Sequence, residues 1–396
     1  MIAIRDIGLV AFDSMTIGTA LPGKGKTMKY EADDSVLIVR LDAIGDFIVW
    51  LDAAEELRRH YADAKITLVA NALWADLAAS TPYFDEVIPV DLRRFRFDLR
   101  YRYRFLYQLR QVRYRTAIHF IYRRKGRFAD AEAIVRAARA DEKTGSVGEG
   151  RQGWRQRWSN RWYTELLPAS DAPLMELRRN TEFLRYLGVE EAQAGAPTLL
   201  VNHLPVVSGI PNDYYVLVPG AGADFRRWPA CRFSKIADRV HEATGWTGLI
   251  SGAPSEKNLG ERLAQQTEAP LENWAGRTSV PEMAYMIAQS NLVIGNETGA
   301  IHVAAAVSTP SVCILGGGHY GRFVPYDIEE ETSRSLPQVA VHDMPCFHCD
   351  WNCVFDVPDG EAVPCITNVT VEDVWKQVKR VLQMTETSGQ QSTVSS

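Results

Sequence analysis

The sequence predicts an α/β protein built from two parallel-sheet units. Short apolar runs rich in β-branched residues alternate with amphipathic, helix-like stretches, which is the pattern of βαβ units. This alternation begins at 36–39, fades after 188, and restarts at 215–218 beyond a segment rich in proline and glycine. The chain has 396 residues, more than one ordinary core accommodates. We therefore expect two α/β domains that share a cleft.

Each unit supplies its own series of strands and helices. In the first unit we predict strands at 36–39, 65–70, 86–90 and 116–121, and helices at 47–60, 74–79 and 175–188. In the second we predict strands at 215–218, 247–252, 292–294 and 311–315, and helices at 233–244, 256–266, 283–289 and 300–307. Gly188 is typical of a helix C-terminus and closes the last helix of the first unit.

Domain boundaries follow from composition. Residues 1–30 have weak periodicity and several turn formers, so we expect an extension with little structure of its own. Residues 31–200 form the first predicted domain, and residues 201–384 form the second, which includes a cysteine-rich segment at 346–365. Residues 385–396 are rich in serine, threonine and glutamine and are expected to be disordered.

Composition excludes several classes of protein. A net charge of −5 argues against general nucleic-acid binding, so we expect no nucleic-acid partner. No apolar run approaches the roughly 20 residues that cross a bilayer, and residues 1–30 lack the apolar core of a signal peptide. Six cysteines in so long a chain do not indicate a secreted disulfide scaffold. We expect a cytoplasmic protein.

The stretch from Val36 to Trp50 contains the first candidate for catalysis. A buried strand runs into a tight turn at Gly45, and Asp46 follows at the start of a helix. Active sites of open α/β sheets lie at the carboxyl ends of the strands. A carboxylate at this place also suits a helix cap, because it accepts hydrogen bonds from free N–H groups. The residues alone leave both interpretations open.

The second unit carries anion-binding elements. A glycine loop at 219–222 follows a strand and precedes Arg226 and Arg227, whose planar forks suit a diphosphate. Residues 295–299 end a strand and open a helix, where free N–H groups and the Thr298 hydroxyl are able to hold phosphate oxygens. Together these elements favour a nucleoside diphosphate ligand. The dinucleotide-binding Gly-x-Gly-x-x-Gly fingerprint does not follow the first strand, and no Gly-x-x-x-x-Gly-Lys-Ser/Thr loop is found.

Residues 93–127 are strongly basic and aromatic, with thirteen lysines or arginines against a single acid, Asp98. Such a surface suits phosphate-rich partners or an anionic membrane. His119, within this block, is interpreted as a core histidine.

Further on, three tryptophans lie four residues apart between flanking arginines. These are Trp154, Trp158 and Trp162. Helical spacing of this kind favours a buried stripe, with docking at a membrane interface as the alternative.

Four cysteines are clustered near the C-terminus. They are Cys346, Cys349, Cys353 and Cys365. The Cys-x-x-Cys spacing allows two thiolates to reach one metal ion, so a structural zinc or iron site is one interpretation. Reduced thiols packed within a loop are the other.

Several motifs together resemble glycosyltransferase family 9, the heptosyltransferase family. They are RLDAIGD (40–46), ELRRNTEFLRYLG (176–188), PGAGADFRRWP (219–229), SGAPSEKNLGERLA (251–264) and GNETGAIHVAAAVSTPSVCILG (295–316). The resemblance covers about residues 35–380, and its most specific segments are those at Pro219 and Gly295. It implies a GT-B fold, in which two Rossmann-like domains face each other across a cleft. Some members of this family carry cysteine-rich segments, and the autotransporter heptosyltransferases have an iron-bound cysteine site.

The resemblance also implies roles for individual residues. Asp46 would be the general base of an inverting transfer, facing Thr298 and Arg226 across the cleft, and no catalytic metal would be needed. The donor, most simply ADP-heptose, would contact a set of residues in the second domain. These are Gly220, Arg226, Arg227, Glu256, Glu297, Thr298, Gly299 and His302. An anionic, lipid-linked acceptor would contact Gly45 and the basic surface. We assign that role to Arg94, Arg96, Arg123 and Arg124.

Two positions depart from the family pattern, because Arg226 replaces a lysine and Glu297 replaces the commoner aspartate. The sequence thus predicts transfer of heptose or a related sugar to lipopolysaccharide or another cell-surface glycan. Catalysis would take place in the cytoplasm, with peripheral contact at an anionic inner membrane. A nucleotide-sugar epimerase of the same fold would need no acceptor, and a non-catalytic nucleotide-binding scaffold would not need Asp46.

Overall fold

A computed structural model describes residues 35–122, 129–148, 153–329 and 332–393. These residues belong to one compact unit. The predicted extension at 1–30 lies outside the described residues, as do Arg123 and Arg124.

The first parallel sheet has six strands in the order β3-β2-β1-β4-β5-β6. They are β1 (Ser35–Arg40), β2 (Lys65–Asn71), β3 (Glu86–Val90), β4 (Arg113–His119), β5 (Arg139–Ser146) and β6 (Glu165–Leu167). The helices of this part are α1 (Ile44–His60), α2 (Ala75–Ala79), α3 (Leu92–Phe97), α4 (Leu99–Leu109), α5 (Ala129–Ala137), α6 (Trp154–Ser159) and α7 (Glu176–Tyr186). Every residue of β1 is buried, as its apolar sequence predicts for a central strand.

The second sheet repeats this plan with six parallel strands in the order β12-β11-β10-β7-β8-β9. They are β7 (Tyr214–Val218), β8 (Thr247–Ile250), β9 (Leu271–Asn273), β10 (Leu292–Asn296), β11 (Ser311–Ile314) and β12 (Gln338–Ala340). The helices are α8 (Ala230–Thr244), α9 (Lys257–Ala264), α10 (Val280–Ala288), α11 (Gly299–Ala306), α12 (Pro364–Thr367) and α13 (Val371–Thr393). The predicted α/β fold with two parallel sheets is confirmed.

One continuous apolar core lies between the two sheets. It combines side chains of α1, such as Phe47 and Trp50, with side chains of α11, such as Ile301 and Val303. The outer faces of the two sheets have separate cores, one beneath α3–α5 and one beneath α8 and α13. The first turns of α1 and α11 are therefore held against each other by the main core of the protein.

Two regions differ from the sequence predictions. Helix α13 continues to Thr393, so the structure places a helix where the sequence predicts a disordered tail after Met384. The basic segment contains two helices, α3 and α4, whose N-termini are capped by the carboxylates of Asp91 and Asp98. These helices pack Phe95 and Phe105 beneath their charged surface, which explains why aromatic residues are interleaved with arginines.

Candidate active site

Asp46 lies in the first turn of α1, immediately beyond the carboxyl end of β1. The N-cap position is Ala43, which has no side chain able to cap the helix. The Asp46 carboxyl group makes no capping hydrogen bond within the described chain and lines a small pocket instead. Its companions there are Arg40, Asp42, Ile121, Tyr122, Glu176, Asn180 and Arg322. The geometry favours a chemical role for Asp46 over a role as a helix cap.

The electrostatics of this pocket keep Asp46 easily protonated. Burial, together with the negative charges of Asp42 and Glu176, raises the pKa of Asp46 to about 8, and the lowering effect of Arg40 and Arg322 does not offset this rise. Arg40 forms a buried ion pair with Asp42 at 2.8 Å, and Arg322 pairs with Glu176 at 3.0 Å. Both arginines thus have carboxylate partners already, which limits how far they stabilise the Asp46 anion.

The first turn of α1 packs directly on the first turn of α11. A Cβ atom at Gly45 would lie 3.1 Å from His302 Cδ2, and a Cβ at Gly299 would lie 3.3 Å from the backbone nitrogen of Gly45. This close approach places the turn that carries Asp46 beside the helix end that carries Thr298. Thr298 and Arg226 do not line the Asp46 pocket itself, so the immediate neighbours of Asp46 differ from those that the sequence predicted.

The N-terminus of α11 offers an unused hydrogen-bond donor. Within the described part of the chain, the buried Thr298 hydroxyl has no hydrogen-bond partner. The side chain of Asn296, at the end of β10, donates to the carbonyls of Pro219 (2.8 Å) and Gly220 (3.2 Å) and accepts from the backbone N–H of Trp228 (3.0 Å). Asn296 therefore ties the glycine loop to the start of α11, where an anion is favoured.

Arg226 and Glu297 form an ion pair at the edge of this site. Arg226 also donates to the Glu297 carbonyl at 3.1 Å, and His319 Nδ1 lies 3.0 Å from the Glu297 carboxylate. Burial disfavours the charged form of Glu297, but the hydrogen bond with His319 and the charge of Arg226 outweigh it and lower its pKa. Glu297 is thus a fixed anion that holds the Arg226 guanidinium in place.

His302 is neutral in this environment. Burial lowers its pKa to about 4 despite the nearby Glu297 carboxylate. Its Nδ1 atom lies 2.9 Å from the Tyr326 hydroxyl, and its ring stacks on Tyr326 at 5.9 Å. An uncharged, packed imidazole is suited to shaping the site and cannot act as a cation toward a diphosphate.

The remaining predicted donor residues lie around the glycine loop. The Glu256 side chain packs against Gly220, where a Cβ atom would lie only 1.9 Å from its Oε1, and its other oxygen accepts from the Ala253 N–H at 2.8 Å. Arg227 pairs with Asp224 and is not linked to Glu297. The structure thus brings Gly220 and Glu256 together on one side of the site, and Arg226 and Glu297 on the other.

Comparisons with known protein families and sequences agree with this architecture. The family model "Glycosyltransferase family 9 (heptosyltransferase)" matches residues 175–349. Lipopolysaccharide heptosyltransferase 1 of Pseudomonas aeruginosa is 26% identical over 306 residues, which cover 72% of this chain and 81% of that protein. Both matches show that the chain is similar to glycosyltransferase family 9. It is accordingly a glycosyltransferase, as the sequence predicts.

Solved structures of family 9 proteins share the fold. A glycosyl transferase of family 9 from Veillonella parvula superimposes with a TM-score of 0.69 at 17% identity, covering 89% of this chain and 97% of that one. The dodecameric iron-containing heptosyltransferase TibC of enterotoxigenic E. coli, in complex with ADP-D-β-D-heptose, gives a TM-score of 0.52 at 15% identity, covering 91% of this chain and 78% of that one. These likenesses confirm the predicted GT-B fold.

The cysteine-rich segment of this glycosyltransferase packs beside Arg226 and Glu297. Trp351 lies over the guanidinium of Arg226, with the Arg226 Cζ atom 5.0 Å from the ring centroid. The ring also contacts His319 at 5.2 Å and covers Gly318, where a Cβ atom would lie 2.4 Å from it. Asp350 and Trp351 both have left-handed backbone φ angles, 49° and 62°. This strained turn directs Trp351 onto Arg226.

The four clustered cysteines line one small cavity together with Gly317, Trp351 and Pro364. All four are free thiols, and burial raises the pKa of Cys365. As the side chains stand in the described ranges, no three histidine, cysteine or acidic residues meet the geometry of a metal site. The donor set of four thiols still has the composition of a structural zinc or iron site.

The basic segment is an exposed surface of α3 and α4. Arg94 lines a broad groove with Asp98, Leu99, Arg100, Tyr101, Tyr103, Arg104 and Tyr107. Arg96 instead pairs with Asp130 of α5 at 2.5 Å. Gly45, assigned to the acceptor, packs against His302. The structure therefore places Gly45 against α11, Arg94 in the groove of α3 and α4, and Arg96 in an ion pair between helices.

Most of the tryptophan stripe lies outside the core. Trp154 is 74% exposed and Trp158 is 45% exposed, while Trp162 is partly buried and packs on the core beneath α3–α5. The favoured interpretation of a stripe buried along its length is therefore wrong. Arginine side chains lie over these rings, as Arg155 does on Trp154 at 5.2 Å. His119, by contrast, is buried and hydrogen-bonded to Tyr163, as predicted for a core histidine. Within the described ranges, no helix is long and apolar enough to cross a membrane.

Sequence reasoning missed five residues of the site: Asn296, His319, Arg322, Trp351 and, as a functional residue, Glu176. Glu176 and Arg322 meet at the Asp46 pocket although 146 positions separate them. Only tertiary structure reveals this pairing. Asn296 offered a local signal, because it stands where a parallel strand ends and a helix begins.

Proposed function

We propose that this protein is an inverting transferase that moves a heptose or a related sugar from a nucleoside diphosphate donor to a cell-surface glycan. The observation that carries the proposal is the contact between the first turns of α1 and α11, because it supports a role for Asp46 beside a helix end that would bind phosphate. Heptose is named as the sugar because the relative from P. aeruginosa is a lipopolysaccharide heptosyltransferase.

Asp46 would act as the general base. It would take the proton of an acceptor hydroxyl while that oxygen forms a bond to the anomeric carbon of the donor sugar. The bond between the anomeric carbon and the diphosphate oxygen would break in the same step, and the nucleoside diphosphate would leave with the electron pair. A single displacement inverts the anomeric configuration. The proton on Asp46 would then pass to solvent.

The leaving diphosphate would be stabilised by α11 and the glycine loop. The Thr298 hydroxyl, which has no hydrogen-bond partner among the described residues, and the Gly299 N–H would donate to phosphate oxygens. Arg226 and Arg227 would supply positive charge, and Glu256 would bind the ribose. ADP is the proposed nucleotide, because the structurally similar TibC was solved with ADP-D-β-D-heptose. No step in this scheme requires a catalytic metal.

The acceptor would be a lipid-linked glycan at an anionic membrane surface, with lipopolysaccharide as the proposed example. The exposed basic and aromatic surface of α3 and α4, including Arg94, would contact that membrane from the cytoplasmic side. Arg96, Arg123 and Arg124 remain proposed members of this surface.

The four cysteines would hold a structural zinc or iron ion that fixes the turn carrying Trp351. The convergence of Cys346, Cys349, Cys353 and Cys365 on one cavity supports this proposal. Elemental analysis of protein purified without chelators should find close to one ion per chain. Fully active protein without a stoichiometric metal would refute it.

The function is tested by incubating the purified protein with a panel of nucleotide sugars and a lipid-linked core glycan. We expect glycan product with an inverted linkage, and its loss in Asp46→Ala. Asp63→Ala, at an exposed turn after α1, is the matched control and should keep full activity. Undiminished product from Asp46→Ala would refute the base assignment. Release of a free epimer without acceptor would indicate an epimerase, and donor binding without any turnover would indicate a scaffold.

A further inference from the structure

A cavity of about 640 Å³ lies beside the Asp46 pocket. Three segments line it: the loop at 170–174 with the start of α7, the loop at 318–322, and the turn that contains His348 and Asp350. Glu176 and Arg322 border both this cavity and the Asp46 pocket. A ligand that fills the cavity is therefore able to extend one of its groups toward Asp46.

The charges that line this cavity do not favour an anion. Arg322 is shared between Glu176 at 3.0 Å and Asp350 at 3.4 Å. Arg179 is paired with Glu182 at 2.9 Å and donates to backbone carbonyls of the 170–172 loop. Asp171 is exposed on the lining and has no ion-pair partner in the described chain. The guanidinium groups of Arg322 and Arg179 thus already have carboxylate partners, and among the described residues the carboxylate of Asp171 has no positive partner.

The shape and the remaining polar groups suit a sugar ring. The volume is within the range of small-ligand pockets. Carboxylates accept hydrogen bonds from hydroxyl groups, and the ring of Tyr320 offers an apolar surface for the C–H face of a pyranose. Gly321 leaves the backbone of one wall open, since a Cβ atom there would have only His348 Cε1 within 4 Å, at 3.8 Å. A neutral polyhydroxylated ligand satisfies these groups, whereas a carboxylate or phosphate would meet Asp171, Glu176 and Asp350.

We infer that this cavity binds the terminal sugar of the acceptor and that this sugar is neutral, not an acidic sugar. The inference rests on the proposed glycosyl transfer, because the acceptor hydroxyl has to reach Asp46. The donor-side groups, Arg226, Glu297 and Thr298, are not among the lining residues, so the donor has its own place. The membrane surface would hold the lipid part of the acceptor, and this cavity would select its last sugar.

Binding is tested first without any transfer reaction. Methyl α-D-glucopyranoside and the corresponding methyl glucuronide differ only by a carboxylate, and saturation-transfer NMR measures the affinity of each. We expect the neutral glycoside to bind saturably and the glucuronide to bind on the order of tenfold more weakly, because of the carboxylates in the lining. Asp171→Asn should reduce the ratio between the affinities for the neutral glycoside and the glucuronide. Equal or tighter binding of the glucuronide, or no saturable binding of the neutral glycoside, would overturn the inference.

A cavity-filling variant locates the binding. Ala172 is exposed at the cavity wall, and its hydrogen bonds involve only its backbone: its N–H donates to Ser170 Oγ and its carbonyl accepts from Arg179. Ala172→Trp should therefore fill the space and leave the fold intact. Ala62→Trp, at an exposed turn outside the cavity, is the matched control. We expect Ala172→Trp to abolish glycoside binding and Ala62→Trp to preserve it. Unchanged glycoside binding in Ala172→Trp would overturn the location.

Steady-state kinetics separate this inference from the proposed function. With wild-type turnover established, Ala172→Trp should raise the KM for the acceptor at least about tenfold and leave the KM for the donor within twofold. An increase confined to the donor KM would assign the cavity to the donor sugar and overturn the inference. Absence of turnover by the wild type with every donor and acceptor would refute the proposed function, while the NMR result would still decide whether the cavity binds a neutral sugar.

Discussion

Gly299, the first residue of α11, lies directly against Ile44, the first residue of α1. A Cβ atom at position 299 would be 2.4 Å from Ile44 Cγ2, closer than any normal carbon contact. Both helix ends pack on the continuous core between the sheets, so neither can move away from the other without disturbing that core. The proposed base and the proposed phosphate site are therefore able to lie this close because position 299 has no Cβ atom.

This contact predicts a rescue experiment. Gly299→Ala should force the helix ends apart and reduce kcat/KM by roughly 10- to 100-fold, the effect of a misplacement of about 1 Å. Ile44→Ala removes the opposing Cγ2, so it should be mild alone and should restore much of the activity in the double variant. Gly153→Ala is the control, because a Cβ there meets nothing within 4 Å. Additive losses in the double variant would contradict the steric explanation.

The raised pKa of Asp46 predicts an alkaline activity profile. A general base works only when it is deprotonated, and burial together with Asp42 and Glu176 raises the pKa of Asp46 to about 8. The kcat/KM value should therefore rise with pH and level off above an apparent pKa near 8. The profile is to be measured at constant ionic strength. A rate that is flat from about pH 6 to pH 9 would argue against Asp46 as the titrating base.

The same shift predicts a gain in stability when Asp46 is neutralised. The folded protein binds a proton at Asp46 that the unfolded chain releases at its ordinary pKa of 3.8. The free energy of unfolding therefore falls as pH rises between about 4 and about 8, by up to about 1.4 kcal/mol per pH unit. Asp46→Asn should be more stable than wild type at pH 8 and no more stable at pH 4. Urea unfolding at both pH values measures the free energy of unfolding of each protein. The same difference between Asp46→Asn and wild type at pH 4 and at pH 8 would contradict the prediction.

Trp351 should act as a positioning residue for Arg226. Its ring lies 5.0 Å from the guanidinium carbon. Among the described residues, its removal leaves Arg226 held by Glu297. Trp351→Leu should raise the donor KM several-fold, because Arg226 would contact the diphosphate of the bound donor, and should lower kcat by a smaller factor, because Arg226 would also stabilise the leaving diphosphate. Trp375→Leu is the matched control. Trp375, on α13, makes the same kind of contact with Arg239 of α8, whose Cζ atom lies 5.9 Å from the ring centroid. A fall in kcat with an unchanged donor KM would contradict this role.

The sequence was sufficient for the central strands and for the α/β alternation, because β1, β7 and β10 each contain an apolar run and are buried throughout. It missed β5, whose sequence RADEKTGS has no apolar run and whose strand conformation comes from pairing with β4 and β6. It also missed the pairing of Glu176 with Arg322, which depends on how the two halves pack. Local periodicity could not distinguish a buried tryptophan stripe from an exposed one.

The exposed tryptophan stripe leads to a prediction about membranes. α5 connects it to the basic helices, since Arg136 lies over Trp162 at 5.0 Å and Asp130 pairs with Arg96. Phe97 is 81% exposed and Trp154 is 74% exposed, so both are available to insert among lipid headgroups while nearby arginines attract anionic lipids.

Sedimentation with lipid vesicles tests this surface. Wild-type protein should bind vesicles that contain phosphatidylglycerol, bind pure phosphatidylcholine weakly, and dissociate as salt is raised. The double variant Phe97→Ser with Trp154→Ser should lose most of this binding and keep its activity on a delipidated acceptor. Leu73→Ser, a change at another exposed apolar side chain, should bind like wild type. Equal losses in both variants would show only a general effect of surface hydrophobicity, and unchanged binding of the double variant would exclude this surface as the membrane contact.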